Sequence, residues 1–409
     1  MIGRPSREEG TSHSAFLESD MPSLPSLFFK ILKLGATAYG GPAMISQIKE
    51  TAVNRYGWVK EGEFMRGVAL CQLIPGATMV QIVTYVGYRI GGVLGALTAA
   101  VAFVLPAFIA LLVLSAVYFK FQALWFIQAL FKGLGAIVVA IIFNACITFG
   151  RSVLKDRKVI FIAALSFCAF YFQWNFVFIF VLAAVAGLLL HPKIPQTKAM
   201  PSGGEFSGAK KKEYLIVALL AAFICLAFIF SYFVDPRITD LSLSLSKIGA
   251  LAFGGGFTAI PLIQYEMVDR FHWLSTKEFL DGIALGQVTP GPILITSTFV
   301  GYKVSNLLGA FMATVGVFSP SFFILVLLIP YHDRLREVEK VRMMEQGVLG
   351  AFIGMLALVL LNFGRASFVD IPSVLIALAA FIAIYQKVSL SYILLSGALL
   401  SVAYWGFLT

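Results

Sequence analysis

Two glutamines, Gln72 and Gln287, each stand three residues ahead of a Pro-Gly pair, Pro75-Gly76 and Pro290-Gly291, inside apolar runs. Proline removes an amide hydrogen and clashes with the preceding turn, and glycine weakens a helix, so each pair interrupts a helix. In an apolar setting the freed backbone groups must find a partner, and a ligand can be that partner. A helix N-terminus exposes unpaired N–H groups and a partial positive charge, which suits it to an anion. Two further interruptions, Gly40-Gly41 and Gly254-Gly255, correspond to each other. Together the four breaks offer a site for a tetrahedral dianion, held by backbone N–H groups with Gln72, Gln287, Thr78, Thr289 and Thr296 nearby. The structural alternative is that Gly-Gly and Pro-Gly merely permit kinks and close packing. A Gln in register with both Pro-Gly pairs favours binding.

Charged residues form a second tier. Lys33 and Lys247 each lie seven residues before a double glycine, and Arg89 and Lys303 follow the Pro-Gly segments. Intramembrane charge is costly and usually functional, although basic side chains near helix ends also snorkel. Lys33 and Lys247 therefore join the candidate site, while Arg89 and Lys303 read as anchors. Glu266, Asp281 and Glu345 are candidates for ion coupling only by default. All four histidines fall in the tail or loops, and no carboxylate pair, Ser/His arrangement or phosphate loop falls in any apolar segment. No metal site, cofactor or enzymatic centre is expected. The four cysteines are spread through apolar segments without metal spacing and read as buried thiols.

The elements that must position these residues are membrane helices. The chain is 59% hydrophobic and 13% charged, with mean hydropathy +0.89. Several runs reach or approach the ~20 apolar residues that span a bilayer core. The polar N-terminus has no apolar core of its own and reads as a soluble tail, not a signal peptide. The net charge of +10 need not imply nucleic acid, because basic residues gather in a few loops, as membrane topology requires.

The chain is also written twice. GVALCQLIPGATMVQIVTYVGYRIGG (67–92) returns as GIALGQVTPGPILITSTFVGYKVSN (282–306), and KLGATAYGG (33–41) returns as KIGALAFGG (247–255), at offsets of 214 to 215 residues. The expected divisions are a cytoplasmic tail (1–26), a first membrane repeat (27–190), a cytoplasmic linker (191–213), a linking transmembrane helix (214–234) and a second repeat (235–409). Each repeat reads as about six apolar segments. Arg151, Lys155, Arg157 and Lys158 crowd a loop whose counterpart carries only Arg365 with Asp370, so equivalent loops lie on opposite sides and the repeats are inverted. The same rule permits two readings of the first two segments in each half: re-entrant hairpins, or full-length kinked helices. The fold class is thus an all-α polytopic membrane protein of two inverted-topology repeats with broken or re-entrant helices, joined by one extra helix.

The duplicated GGP…RYGW…ALCQLIPGATMVQ and GGG…RFHW…ALGQVTPGPILI resemble the chromate ion transporter family in its long, two-domain form. The resemblance implies a plasma-membrane protein that expels chromate, confers chromate resistance and draws on the proton-motive force. It carries Gln72–Gly76, Gln287–Gly291, Gly40-Gly41 and Gly254-Gly255 over as functional positions. The expected function is a secondary transporter working by alternating access, with chromate, the lipid bilayer and protons as partners. The N-terminus would be cytoplasmic and the C-terminus outside. A carrier of sulfate or another small anion, or a channel of the same architecture, is the alternative. Whether the protein forms a homodimer is left open.

Overall fold

A computed structural model describes residues 22–39, 42–190, 211–253, 256–331 and 339–407. Gly40, Gly41, Gly254 and Gly255 lie outside the described residues, as do most of the tail and linker. The first half runs α1 (Leu24–Thr37), α2 (Pro42–Lys49, continued by a π turn to Arg55), α3 (Glu61–Leu73), α4 (Thr78–Phe121), α5 (Trp125–Val153), α6 (Arg157–Tyr171) and α7 (Phe176–Leu190). After α8 (Lys211–Val234) the order repeats as α9 (Pro236–Leu251), α10 (Gly256–Gln264, with a π turn to Arg270), α11 (Thr276–Val288), α12 (Thr296–Leu328), α13 (Glu339–Ser367), α14 (Ile371–Tyr385) and α15 (Leu390–Ser401). Five helices, α4, α5, α8, α12 and α13, are long and apolar enough to cross a membrane. The linking helix begins at Lys211, so three residues assigned to the polar linker belong to it.

The second apolar segment of each half is a hairpin. Tyr85 of α4 packs on Gly67 of α3, where a methyl group would lie 2.3 Å from the Tyr85 ring, and Glu63 pairs with Arg89. The start of α3 and residue 89 are therefore neighbours, and the chain turns back at residues 74–77. The other half repeats this with Phe299 on Gly282 and Lys303 2.7 Å from Glu278. The kinked full-length helix is thus not what forms here. Arg89 and Lys303, read as anchors, close the two hairpin mouths.

α4 then reverses a second time. Gly91 and Gly92 leave helical geometry, Gly92 at φ 58°, and a methyl on Gly87 would meet the Gly95 carbonyl oxygen at 2.4 Å. Residues eight apart touch only if the helix doubles back, which gives α4 a short arm (78–90) and a long arm (93–121). Ser305 and Asn306 make the same turn in α12. All eight positive-φ residues among those described form four repeat pairs: Gly57 with His272, Gly76 with Gly291, Gly92 with Asn306 and Gln173 with Lys387. The backbone is duplicated even where glycine was not kept.

The long arm of α4 measures the inversion. It leaves the mouth of the first hairpin after Arg89. It ends at Tyr118 and Phe119, which bond to Asp281 and stack on Phe299 by the mouth of the second hairpin. At 1.5 Å per residue the mouths are about 38 Å apart, more than the ~30 Å of a bilayer core. The two hairpins enter from opposite faces. Ala107, midway along this arm, touches Gly291, so the hairpin tips lie near mid-depth.

Around the hairpins the halves interlock. α13 packs on α6 and α7 of the first half, while α5 packs on α14 and α15 of the second. Small residues permit these crossings: a methyl on Gly347 would lie 2.0 Å from the Ala183 carbonyl oxygen, and one on Gly249 of α9 the same distance from that of Val317 in α12. With no hydrophobic force between helices in lipid, close approach of this kind holds a bundle together. Gly249→Ala should therefore lower stability by about 1–3 kcal/mol through overpacking. Gly62→Ala, where an added methyl meets nothing within 4 Å, should be neutral or stabilise the exposed start of α3 by up to ~1 kcal/mol. Thermal unfolding in detergent micelles separates the two.

Candidate functional site

Each Pro-Gly break is built in the same way. α3 ends where the Ile74 N–H bonds to Leu70 and α11 where the Thr289 N–H bonds to Leu285. The chain then extends through proline and turns on a glycine with φ 136° at Gly76 and 112° at Gly291, conformations that L side chains rarely adopt. A new helix starts immediately after, α4 at Thr78 and, past a short 3₁₀ turn, α12 at Thr296.

The breaks are tied across the halves. The Gly76 N–H donates to the Ala252 carbonyl at 2.8 Å, and the Gly291 N–H donates to the Ala38 carbonyl at 2.9 Å. Ala38 and Ala252 are the residues at which α1 and α9 end, two positions before each double glycine. Each second-hairpin tip is therefore latched to the end of the other half's first helix. Tyr39 adds a hydroxyl hydrogen bond to the Val288 carbonyl at 2.8 Å. The Ala77 N–H donates to Ser321 Oγ at 2.9 Å.

The residues singled out in the sequence are not equally placed. Pro75, Gly76, Pro290 and Gly291 form the tips themselves. Thr289 and Thr296 are buried beside the second tip, with their hydroxyls donating at 3.0 Å to the carbonyls of Gly286 and Ile293. Thr78 is buried at the start of α4, and Gln287 is buried while Gln72 is exposed. Lys33 and Lys247 sit on exposed positions of α1 and α9, more than a turn from the tips.

Two coupling candidates are deeper than their positions in sequence suggest. Glu266 and Asp281 are 1% and 3% exposed. Glu266 accepts from Ser244 Oγ and Arg270, both at 2.8 Å, and Arg270 is the partner that keeps a charge tolerable there. Asp281 accepts from the Tyr118 hydroxyl at 2.7 Å and lines a cavity of about 360 Å³ with Gln122, Gln128, Lys277 and Glu278. It lies eight residues before Thr289, about 12 Å along α11 from the second tip. Glu345 is half-buried on α13. Among the described residues no cluster of three His, Cys, Asp or Glu side chains is disposed to hold a metal.

Sequence reasoning passed over Gln81 and Ser321, which complete the first tip. Gln81 Nε2 donates to the Pro75 carbonyl at 2.8 Å. The signal available was the comparison of repeats: Ser321 stands opposite Ala107. Backbone N–H groups ringed by amides and hydroxyls at mid-depth, between two inverted halves, can bind and orient an anion.

A sequence model of the family described as chromate transporter matches the chain twice, over residues 25–188 and 239–402. An uncharacterized transporter of Methanocaldococcus jannaschii is 34% identical over 91% of this chain and 92% of its own length. A chromate transport protein of Cupriavidus metallidurans is 31% identical, over 93% and 94% respectively. A probable chromate transport protein of Synechococcus elongatus is 29% identical, over 94% and 96%. No solved structure matches the chain.

A methyl on Gly76 would face Gln81 Nε2 at 2.4 Å and Ser321 Oγ at 2.6 Å, in addition to the strain of its φ. Gly76→Ala should cost about 1–3 kcal/mol. Ser321→Ala strands the Ala77 N–H and should cost a similar ~1–3 kcal/mol. Ala107→Ser at the repeat mate should also destabilise, because Ala107 is fully buried against Gly291, and Pro292, which stands opposite Ala77, has no N–H to donate to the new hydroxyl. Thermal unfolding in micelles tests the three, and a Ser321→Ala protein as stable as wild type would contradict the hydrogen bond.

Proposed function

The chain belongs to the chromate transporter family, and on that premise we propose that it is a secondary active transporter that exports chromate across the plasma membrane and confers chromate resistance. The observation that carries this reading is the reciprocal latch at mid-depth, Gly76 to Ala252 and Gly291 to Ala38. Two equivalent joints between inverted halves are what a protein needs if it is to open alternately to either side. The Gly76 and Gly291 amides pass from a carbonyl of the other half to an oxygen of the anion when a joint opens. Gln72, Gln287, Thr78, Thr289 and Thr296, with Gly40-Gly41 and Gly254-Gly255, complete the site, and Lys33 and Lys247 add attraction along the approach. An anion held by helix N-termini and neutral amides avoids the cost of a buried countercharge.

Protons are the proposed coupling ion. The buried carboxylates Asp281 and Glu266 are better placed to take one than Glu345, because each already shares a hydrogen bond across elements that must move. The N-terminus is taken to be cytoplasmic and the C-terminus outside, as the basic loops indicate. Sulfate has the shape and charge of chromate, so a general oxyanion carrier is the second reading, and a channel the third.

Labelled chromate flux into proteoliposomes, with an imposed pH gradient and sulfate as competitor, tests all three. Uphill accumulation that follows the gradient is expected of the transporter, and flux only down the chromate gradient of a channel. Replacing Gln72 and Gln287 together by Ala should reduce flux at least about tenfold, equivalent to ~1.4 kcal/mol. Unchanged transport in that protein would remove the anion from the breaks.

A further inference from the structure

The two Pro-Gly tips share a backbone but differ in side chains, and two polar side chains are particular to the first tip. Gln81 faces it, and Ser321 faces it where the second tip has Ala107. Gln81 Nε2 donates to the Pro75 carbonyl at 2.8 Å, which settles which end of the amide is nitrogen. The other end, Oε1, has no hydrogen-bond partner, although Gln81 is only 1% exposed. The neighbouring amides are already engaged, Gly76 with Ala252 and Ala77 with Ser321. A buried acceptor without a donor is unfavourable and calls for a donor from outside the chain. At the second tip the Thr296 hydroxyl bonds to Ile293.

An acceptor beside an anion site is selective. It repels an oxygen that presents only lone pairs and accepts a hydrogen bond from one that carries a proton. Chromate holds a proton readily near neutral pH, as hydrogen chromate, whereas hydrogen sulfate is a far stronger acid and gives the bare dianion there. Building on the site proposed above, we infer that Gln81 is a specificity-determining residue: its Oε1 accepts a hydrogen bond from the protonated oxygen of a monoprotonated tetrahedral oxyanion, so that hydrogen chromate is carried in preference to either dianion. The proton stays on the substrate throughout, and only a hydrogen bond is made.

The ionisable groups nearest Gln81 are Tyr85, one turn further along α4, and, on the packed elements, Lys33 and Tyr39, Cys71, Lys247 and Asp281. Tyr39 bonds to Val288, Tyr85 to the Glu63 carbonyl and Asp281 to Tyr118, and none of the six bonds to the Gln81 amide. If one of them set a pH dependence, inhibition by sulfate would shift with pH as well, which gives the control.

The test is equilibrium exchange of labelled chromate in proteoliposomes carrying the full chain, at equal pH on both sides, over a pH series. The half-saturating concentration of total chromate is expected to rise about tenfold per pH unit on the alkaline side, as the hydrogen chromate fraction falls. The sulfate inhibition constant should remain flat. Gln81→Thr should narrow the preference for chromate over sulfate by about tenfold, because a hydroxyl can donate as well as accept. Half-saturation that follows total chromate at every pH overturns the inference, and this reading needs no variant to fold. An unchanged preference in a folded Gln81→Thr protein also overturns it. Failure of the underlying site is a separate result: the doubly substituted Gln72→Ala, Gln287→Ala protein would then exchange chromate with wild-type half-saturation.

Discussion

The structure depends on one constraint, that backbone N–H groups at mid-membrane depth must be bonded although their helices are broken. A stranded amide in hydrocarbon costs several kcal/mol. The chain meets this requirement by trading between halves, Gly76 to Ala252 and Gly291 to Ala38. Neither half can satisfy its own tip in this way. The same interdependence governs the periphery, where α13 is enclosed by α6 and α7 and α5 by α14 and α15. The repeats are units of sequence, yet they share one core.

That arrangement places strain and polarity where movement would be useful. The tips combine left-handed glycines, prolines and single cross-half hydrogen bonds, each worth only about 1 kcal/mol net. Such joints hold one conformation without locking it. The mouths of the hairpins are closed by ion pairs at opposite faces, Glu63 with Arg89 and Glu278 with Lys303, and the long arm of α4 connects the first mouth, the second tip and the second mouth.

Duplication did not make the halves equivalent. The backbone kept its four positive-φ pairs, while the side chains at the tips diverged. Gln81 and Ser321 give the first tip an amide and a hydroxyl, while Tyr39 and Thr289 give the second two hydroxyls. The second half in turn holds the two buried carboxylates, Glu266 and Asp281, opposite Thr51 and Arg66 in the first. Side chains that face the tips thus come from both halves, Gln81 from the first and Ser321 from the second, while both of these carboxylates lie in the second.

The repeat, its inversion and the positions of the breaks were legible in the sequence, because proline, glycine and loop charge act locally and leave their mark on residue order. Whether the broken segments doubled back was not legible. Loop charge left the hairpin and the kinked helix open, and the decision rested on the contacts of Gly67 with Tyr85 and Gly282 with Phe299, which join residues distant along the chain. Glu266 and Asp281 read as marginal in sequence and proved buried, since burial is set by the helices that cover them. The importance of Gln81 lay wholly in tertiary structure. An amide with one end bonded to Pro75 and the other unpartnered is a property of three-dimensional surroundings that no spacing encodes.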